Sequence, residues 1–331
     1  MMAHPMDARS QLLSQARWRW FEPLLWVAVF ALPALLPGHA LIVNEIAIVA
    51  LFALSLDLVL GYTGIVTLGH AAFLGFGAYC AALFAKFIHP DPVLGLAVGV
   101  ASATVLGAVC SVTILRGSDL TRLMVTLGVA LLLLELANKL DWLTGGSDGL
   151  QGVMMGPLLG RFEFDLYGQT AAWYSLTVLL LLFTVARRWV SSPWGATLMA
   201  VRDNPLRAMA IGIAVHKRLA VVYTVAAALA GAAGALMAQT TGFASLDVFA
   251  LERSADVMLM LVIGGVGWLY GGVVGAVVFK LMHDVISGIT PQYWTFWIGL
   301  FLVVLVMVGR ERLIRPWLWF GRAGDQKGGA Q

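Results

Sequence analysis

Ten apolar stretches alternate with polar segments along this chain, at about 24–38, 41–60, 65–88, 93–115, 120–140, 166–186, 219–241, 255–268, 271–289 and 293–309. Stretches this apolar read as membrane-spanning helices, because a backbone in hydrocarbon must satisfy its own N–H and C=O groups. Several are shorter than the roughly 20 residues that cross a bilayer without strain, the first and the eighth most clearly. The pattern predicts an all-α polytopic membrane protein of about eight to ten transmembrane helices with glycine-broken segments. It divides the chain into an N-terminal segment, 1–23, a transmembrane region, 24–309, and a polar, Gly-rich tail, 310–331.

One polar interruption stands apart. Residues 187–218 carry strong helix signals: Asn204 suits an N-cap, Pro205 the first helical position, and Gly212 a left-handed helix end. A helix of about two turns follows, too short to be stable alone in water. Leu206, Met209 and Ala210 share one of its faces, with Arg202 and Arg207 beside them. Such a helix needs something to cover its apolar face. The cover is either the ends of the chain's own helices or a separate protein.

Glycine punctuates the apolar stretches. Gly95 and Gly99, and then Gly267, Gly271 and Gly275, recur at helical spacing and make small faces for close helix packing, with Gly231 and Gly234 extending the theme. Two places read differently, as broken helix. In 60–79, Gly61, Gly64, Gly69, Gly75 and Gly77 are interleaved with Thr63, Thr67 and His70, which can re-satisfy freed backbone groups. The second is 264–272. Irregular backbone at membrane depth is tolerated where it is buried in protein or lines a water-filled cavity, so Gly61, Thr63, Gly64, Gly69, His70 and Gly75 are candidates for a translocation path or a tight helix crossing.

Composition agrees: the chain is 60% hydrophobic and 12% charged, with mean hydropathy +0.87, against about 25% charge in soluble domains. The charge is placed unevenly. If both termini are cytoplasmic, that side holds 16 of the 21 Lys and Arg residues, six of them in 187–218. The other side collects Asp91, Asp141, Asp148, Glu163, Asp165, Asp247, Glu252 and Asp256. This asymmetry argues for an even number of spans and cytoplasmic ends. The N-terminus reads as a signal anchor rather than a removed signal peptide. The basic residues report topology and call for no nucleic acid. Cys80 and Cys110 have no CxxC or nearby His partner, so neither disulfide nor metal is indicated.

Little of the sequence suggests an enzyme. None of the five lysines follows a glycine, so the chain holds no P-loop for ATP. Zinc-protease and serine-hydrolase motifs are also missing. The ionisable residues within apolar stretches include Asp57, Glu135, Lys280, His283 and Asp284, and such residues mark candidate functional positions. Lys280 and Asp284 stand at i, i+4 and can pair on one helix, which is a structural explanation for both. A lone His70 in a glycine-rich break is more often a packing residue than a proton carrier.

Four stretches in order resemble the branched-chain amino acid ABC transporter permeases of the LivM type: ALSLDLVLGYTGIVTLGHAAFLGFGAY at 53–79, LTGGSDGLQGV at 143–153, GATLMAVRDNPLRAMAIGI at 195–213 and MLVIGGVGWLYGGVVGAVVF at 260–279. The resemblance spans about residues 41–309. Asp57 departs from it, where the pattern has Asn. The resemblance implies a non-catalytic permease subunit in the inner membrane, paired with a homologous LivH-type permease subunit, two cytoplasmic ATPases and a periplasmic substrate-binding protein. ATP would be bound by those partners, with no cofactor in this chain. It also implies that 195–213 is a coupling loop that docks on an ATPase, with Gly195, Arg202, Asn204, Pro205, Leu206, Arg207, Met209, Ala210 and Gly212 as its residues. An ion-coupled secondary transporter is the alternative, and it would need ion-coupling residues of its own.

The charge asymmetry makes the first prediction. A topology reporter fused after Arg202 is expected to read cytoplasmic, and one fused after Asp148 periplasmic. A periplasmic reading at Arg202 would invert the assignment.

Overall fold

The computed structural model describes residues 20–301 and 303, apart from 115, 116, 118, 166, 290, 294 and 295. Most of the expected N-terminal segment, just over half of the tenth apolar stretch and the tail 310–331 lie outside the described residues. The chain divides into two units, Met1–Val277 and Val278–Gln331.

The described residues are helical, with two isolated β-bridges, Leu150 to Ala244 and Leu158 to Phe162. Besides the four-residue helix Asp141–Thr144 and three 3-10 turns, the helices in chain order are α1 (Phe21–Leu35), α2 (Ala40–Thr63), α3 (Ala71–Phe87), α4 (Pro92–Ile114), α5 (Asp119–Lys139), α6 (Gln169–Val190), α7 (Pro193–Asp203), α8 (Pro205–Ala210), α9 (Val215–Thr241), α10 (Leu251–Gly264) and α11 (Leu269–Ile289). Among them α2, α4, α5, α6, α9 and α11 are long and apolar enough to cross a membrane, while α1 and α3 are shorter apolar helices.

The first unit is built around α9, which packs against α2, α3 and α4. The apolar windows of α2 and α9 are each 72% buried, against 28% for α4 and 22% for α5, so the first pair forms the interior. Lipid tails are as apolar as leucine, so burial from lipid supplies little drive and close contact must supply it. Small residues allow that contact. A methyl group on Gly77 would sit 2.5 Å from the Gly231 Cα, and one on Gly99 would sit 2.8 Å from the Ala235 Cβ. A methyl on Gly234 would overlap the Leu74 carbonyl.

Helix α2 ends where Gly64 turns left-handed at φ +74, and helix resumes only at Ala71. The third apolar stretch, expected from about 65, is therefore helical over a shorter range. The freed polar groups find partners inside the protein: Thr63 donates its hydroxyl to the Val59 carbonyl at 2.6 Å, and the Ala71 N–H donates to Ser254 Oγ at 2.9 Å. Ser55 Oγ lies 2.8 Å from His70 Nε2, in a fully buried imidazole stacked on Phe52 and edge-on to Phe73.

The second break separates α10 from α11, with Gly265 at φ +104 and Gly267 at φ +80. This corrects the expected stripe of Gly267, Gly271 and Gly275. Gly267 lies in the break, and Gly264 takes its place in the crossing. Methyl groups on Gly264 and Gly275 would overlap the carbonyls of Gly271 and Met260 respectively. The eighth stretch, expected at 255–268, forms the helix Leu251–Gly264 because the glycines end it earlier.

Arg187 was counted among the loop charges. The structure instead buries it in an ion pair with Glu22 of α1, its Nη2 3.4 Å from Glu22 Oε1 and its Nη1 3.2 Å from the Tyr270 hydroxyl. A pair this buried satisfies itself only through good geometry and extra hydrogen bonds, and the Tyr270 hydroxyl supplies one.

Gly69 tests the packing. A methyl group there would overlap the Thr126 carbonyl. Gly69→Leu is therefore expected to cost about 1–3 kcal/mol or more through overpacking, and to reduce the yield of monodisperse protein on size-exclusion chromatography. Wild-type yield together with lost uptake would mean that this crossing opens and that Gly69 serves a path.

Candidate coupling site

The polar loop folds as two consecutive helices. Helix α8 matches the expected helix, and α7 precedes it, where Ser192-Pro193 repeats the cap signature of Asn204-Pro205. Ser192 is extended (φ −82, ψ 164), its Oγ accepts the Gly195 N–H at 3.4 Å, and Pro193 takes the first position. Gly195 passes so close to the end of α6 that a methyl group would overlap the Val190 carbonyl. Leu198 and Val201 form the buried side of α7, which packs on α2. Trp194 stacks on Trp189 at 4.4 Å and carries the Arg218 guanidinium 5.0 Å from its ring centre.

Asn204 ends α7 and starts α8. Its backbone is extended (φ −157, ψ 100), and its Oδ1 accepts the Arg207 N–H at 3.0 Å. At the other end Gly212 turns left-handed at φ +87. The Gly212 N–H donates to the Met209 carbonyl and the Ile213 N–H to the Ala208 carbonyl, each at 3.0 Å. This is the Schellman arrangement. Six residues thus hold a helical turn through caps at both ends. Ala208 is buried on the inner side, while Leu206, Met209 and Ile211 are 73%, 44% and 70% exposed. Ala210 and Arg207 are exposed beside them.

Arg202 behaves differently from the expectation that set it beside the apolar face. Its Nη1 donates to the Gly61 carbonyl, at the end of α2. A methyl group on Gly64 would sit 3.3 Å from its Cγ, and one on Gly267 would sit 3.0 Å from its Nη1. Asp57 completes the junction. Its Oδ1 accepts the Gly267 N–H at 2.7 Å, and its carboxylate interacts electrostatically with Arg202. The second oxygen, Oδ2, is buried and has no hydrogen-bond partner among the described residues. One arginine of the loop therefore meets both helix breaks at once.

The structure brings Asp57, Gly61, Gly64 and Arg202 together and adds Gly267. Thr63, Gly69, His70 and Gly75 lie in other contacts, Gly75 against the Phe249 ring. Glu135 pairs with Lys139 at 3.8 Å on the outer face of α5, and Lys280 with Asp284 at 3.4 Å on α11. The inward turn of Arg202 had no local signal, since spacing along α7 says nothing about a carbonyl 141 residues earlier.

The family model for the branched-chain amino acid transport system / permease component matches residues 39–309. The chain belongs to that family. It is 26% identical over 293 residues, 80% of this chain and 67% of the relative, to the high-affinity branched-chain amino acid transport system permease protein LivM of Escherichia coli (strain K12). It is 27% identical over 306 residues, 84% of this chain and 70% of the relative, to the LivM protein of the same description from Salmonella typhimurium. No solved structure matches it significantly. The family is one of transport permeases, and with its apolar helices the chain is a multi-pass inner-membrane protein.

The junction generates a stability prediction. Arg202→Ala removes the donor to Gly61, an effect of about 1–3 kcal/mol, and with it a guanidinium that interacts electrostatically with Asp57. Asp57→Asn is expected to recover part of that loss in the double variant. The measurement is a double-mutant cycle on the fraction of protein still soluble after heating in detergent. Strict additivity would show that the two groups do not communicate.

Proposed function

We propose that this chain is one permease subunit of an ABC importer. With a homologous LivH-type permease subunit it forms the path for branched-chain amino acids or related small solutes. Two cytoplasmic ATPases bind the ATP, so the chain itself needs no cofactor, and a periplasmic binding protein delivers the substrate. Both termini and the α7–α8 loop lie on the cytoplasmic side.

The observation that carries this reading is α8: a rigidly capped turn with Leu206, Met209 and Ile211 exposed at the edge of a membrane domain. Three large apolar side chains on one turn suit a groove on a partner, and Arg207 suits an acidic rim. Behind them Arg202 reaches both helix breaks. When the ATPase dimer closes, α8 moves as a unit with α7, and Arg202 carries that displacement to the ends of α2 and α11. An ion-coupled secondary transporter would have no use for an exposed docking turn, and that favours the importer.

Met209→Asp is expected to abolish copurification of the ATPases from detergent-solubilised membranes, and with it substrate-stimulated ATP hydrolysis, while membrane insertion stays intact. Loss of a central apolar anchor commonly costs a few kcal/mol, about a hundredfold in affinity, whereas Arg207→Ala on the rim weakens association mildly and in a salt-dependent way. Wild-type copurification by Met209→Asp would remove α8 from the coupling role.

A further inference from the structure

Arg187 stands where α6 ends and the coupling loop begins, and three helices meet on it. Its guanidinium forks onto the Glu22 carboxylate of α1, with Nη1 on Oε2 and Nη2 3.4 Å from Oε1. Nη1 also donates to the Tyr270 hydroxyl at 3.2 Å. Tyr270 is the second residue of α11, just past the break at 265–268. One turn back on α6, Phe183 packs on the same tyrosine ring, with centroids 4.7 Å apart. Phe183 and Arg187 share a face at i, i+4, so α6 meets Tyr270 at two points, ring and hydroxyl. Helix α1 backs the contact. Trp26 lies 5.5 Å from Phe183, and the Trp173 indole donates to the Phe30 carbonyl at 3.3 Å.

Stability alone gives a weak account of this pair. Arg187 and Glu22 are both buried, and taking two charges out of water costs about what their attraction returns. Apolar residues of similar volume would fill the same space as well. A forked pair differs from an apolar one in direction, because the planar guanidinium fixes where its other N–H groups point. Here one of them points at Tyr270. Arg202, at the far end of α7, donates to the Gly61 carbonyl and lies beside Gly267. The loop therefore reaches the second break at two places, within it at Gly267 and just past it at Tyr270. One contact leaves the start of α11 free to pivot, whereas two fix its direction.

We propose that Arg187 is a second positioning residue of the coupling loop, oriented by Glu22 and acting through the Tyr270 hydroxyl on the start of α11. Arg202 holds the break from inside and Arg187 holds it from its far side. A displacement that enters through α8 then reaches both contacts together, and the break follows the loop as one piece. Glu22 gives α1 a part in this: the carboxylate keeps the guanidinium in the plane from which it reaches Tyr270. The inference rests on the coupling reading above.

The test uses the complex purified with its ATPases from detergent-solubilised membranes. Cys80 and Cys110 are replaced by Ala, and the break is marked by Val266→Cys, since Val266 is exposed there. Maleimide labelling of the marked position is timed without nucleotide and then with ATP and orthovanadate, which hold an ATPase dimer closed. Tyr270→Phe is the deciding variant. It keeps the ring on Phe183 and the Glu22–Arg187 pair, and removes only the hydroxyl. Arg187→Lys keeps the charge opposite Glu22 and removes the fork. Nucleotide is expected to change the labelling rate in the parent protein. Both variants are expected to copurify the ATPases as the parent does, and to lose the nucleotide-dependent change. An ion pair that serves only folding leaves Tyr270→Phe with the parent's response, and that response in either variant overturns the proposal. A parent whose labelling ignores nucleotide overturns it too, because the break would then not follow the loop. Failure of Tyr270→Phe to assemble also overturns it, since the hydroxyl would then serve folding. If ATPases do not copurify even with the parent, the importer reading fails first, and the two failures are distinguished.

Discussion

Hydrocarbon offers no hydrogen bonds, and this constraint governs the rest of the structure. A helix satisfies its own backbone, but a break frees N–H and C=O groups that need other partners. This chain breaks its helices twice, at 64–70 and at 265–268, and both interruptions are closed by the protein itself. Ser254 accepts the Ala71 N–H, Asp57 accepts the Gly267 N–H, and Arg202 donates to the Gly61 carbonyl. Two of these three partners are charged, and hydrogen bonds to charged groups are about twice as strong as neutral ones. The breaks are consequently fixed by the neighbours that touch them. Whatever moves those neighbours moves the breaks.

Small side chains make such contacts possible. Gly61 and Gly267 lie almost backbone to backbone, so that a methyl group on Gly61 would sit 2.6 Å from the Gly267 nitrogen. The same closeness recurs where Gly77 meets Gly231 and where Gly264 meets Gly271. In lipid these contacts replace the hydrophobic drive that holds a soluble core. They also leave no slack. A crossing of two glycines slides or separates as a whole, which suits a membrane domain that must change between discrete arrangements.

Hydropathy alone made most of the helices legible, because a long apolar run has few other solutions in a bilayer. The caps of α8 were legible too, since Asn204, Pro205 and Gly212 act through their own backbone neighbourhood. The left-handed Gly212 and the Asn204 bond to Arg207 follow the expectation closely. The inner side of the loop was not legible. Arg187 and Arg202 looked like two more surface charges among six, yet one is buried against Glu22 and the other bonded to Gly61. Both partners are more than a hundred residues away, and local periodicity carries no information about them. Gly267 misled for a related reason. Its spacing to Gly271 is helical, but Gly265 had already ended the helix at φ +104.

Asp57 shows how one residue alters the logic of the junction. An asparagine at this position would accept the Gly267 N–H equally well through its amide oxygen. A carboxylate does so while adding a buried negative charge, which needs compensation. Arg202 contributes from the loop outside, so the residue that bonds the end of the first helix also interacts electrostatically with the acceptor of the second break. The compensation is incomplete, because Oδ2 has no hydrogen-bond partner among the described residues. A buried carboxylate near a guanidinium favours arrangements in which the two approach more closely. Displacement of α7 by a few tenths of an ångström changes that distance directly. A shift of the loop would therefore be felt at the breaks through electrostatics as well as through contact, a link that a neutral amide would not provide.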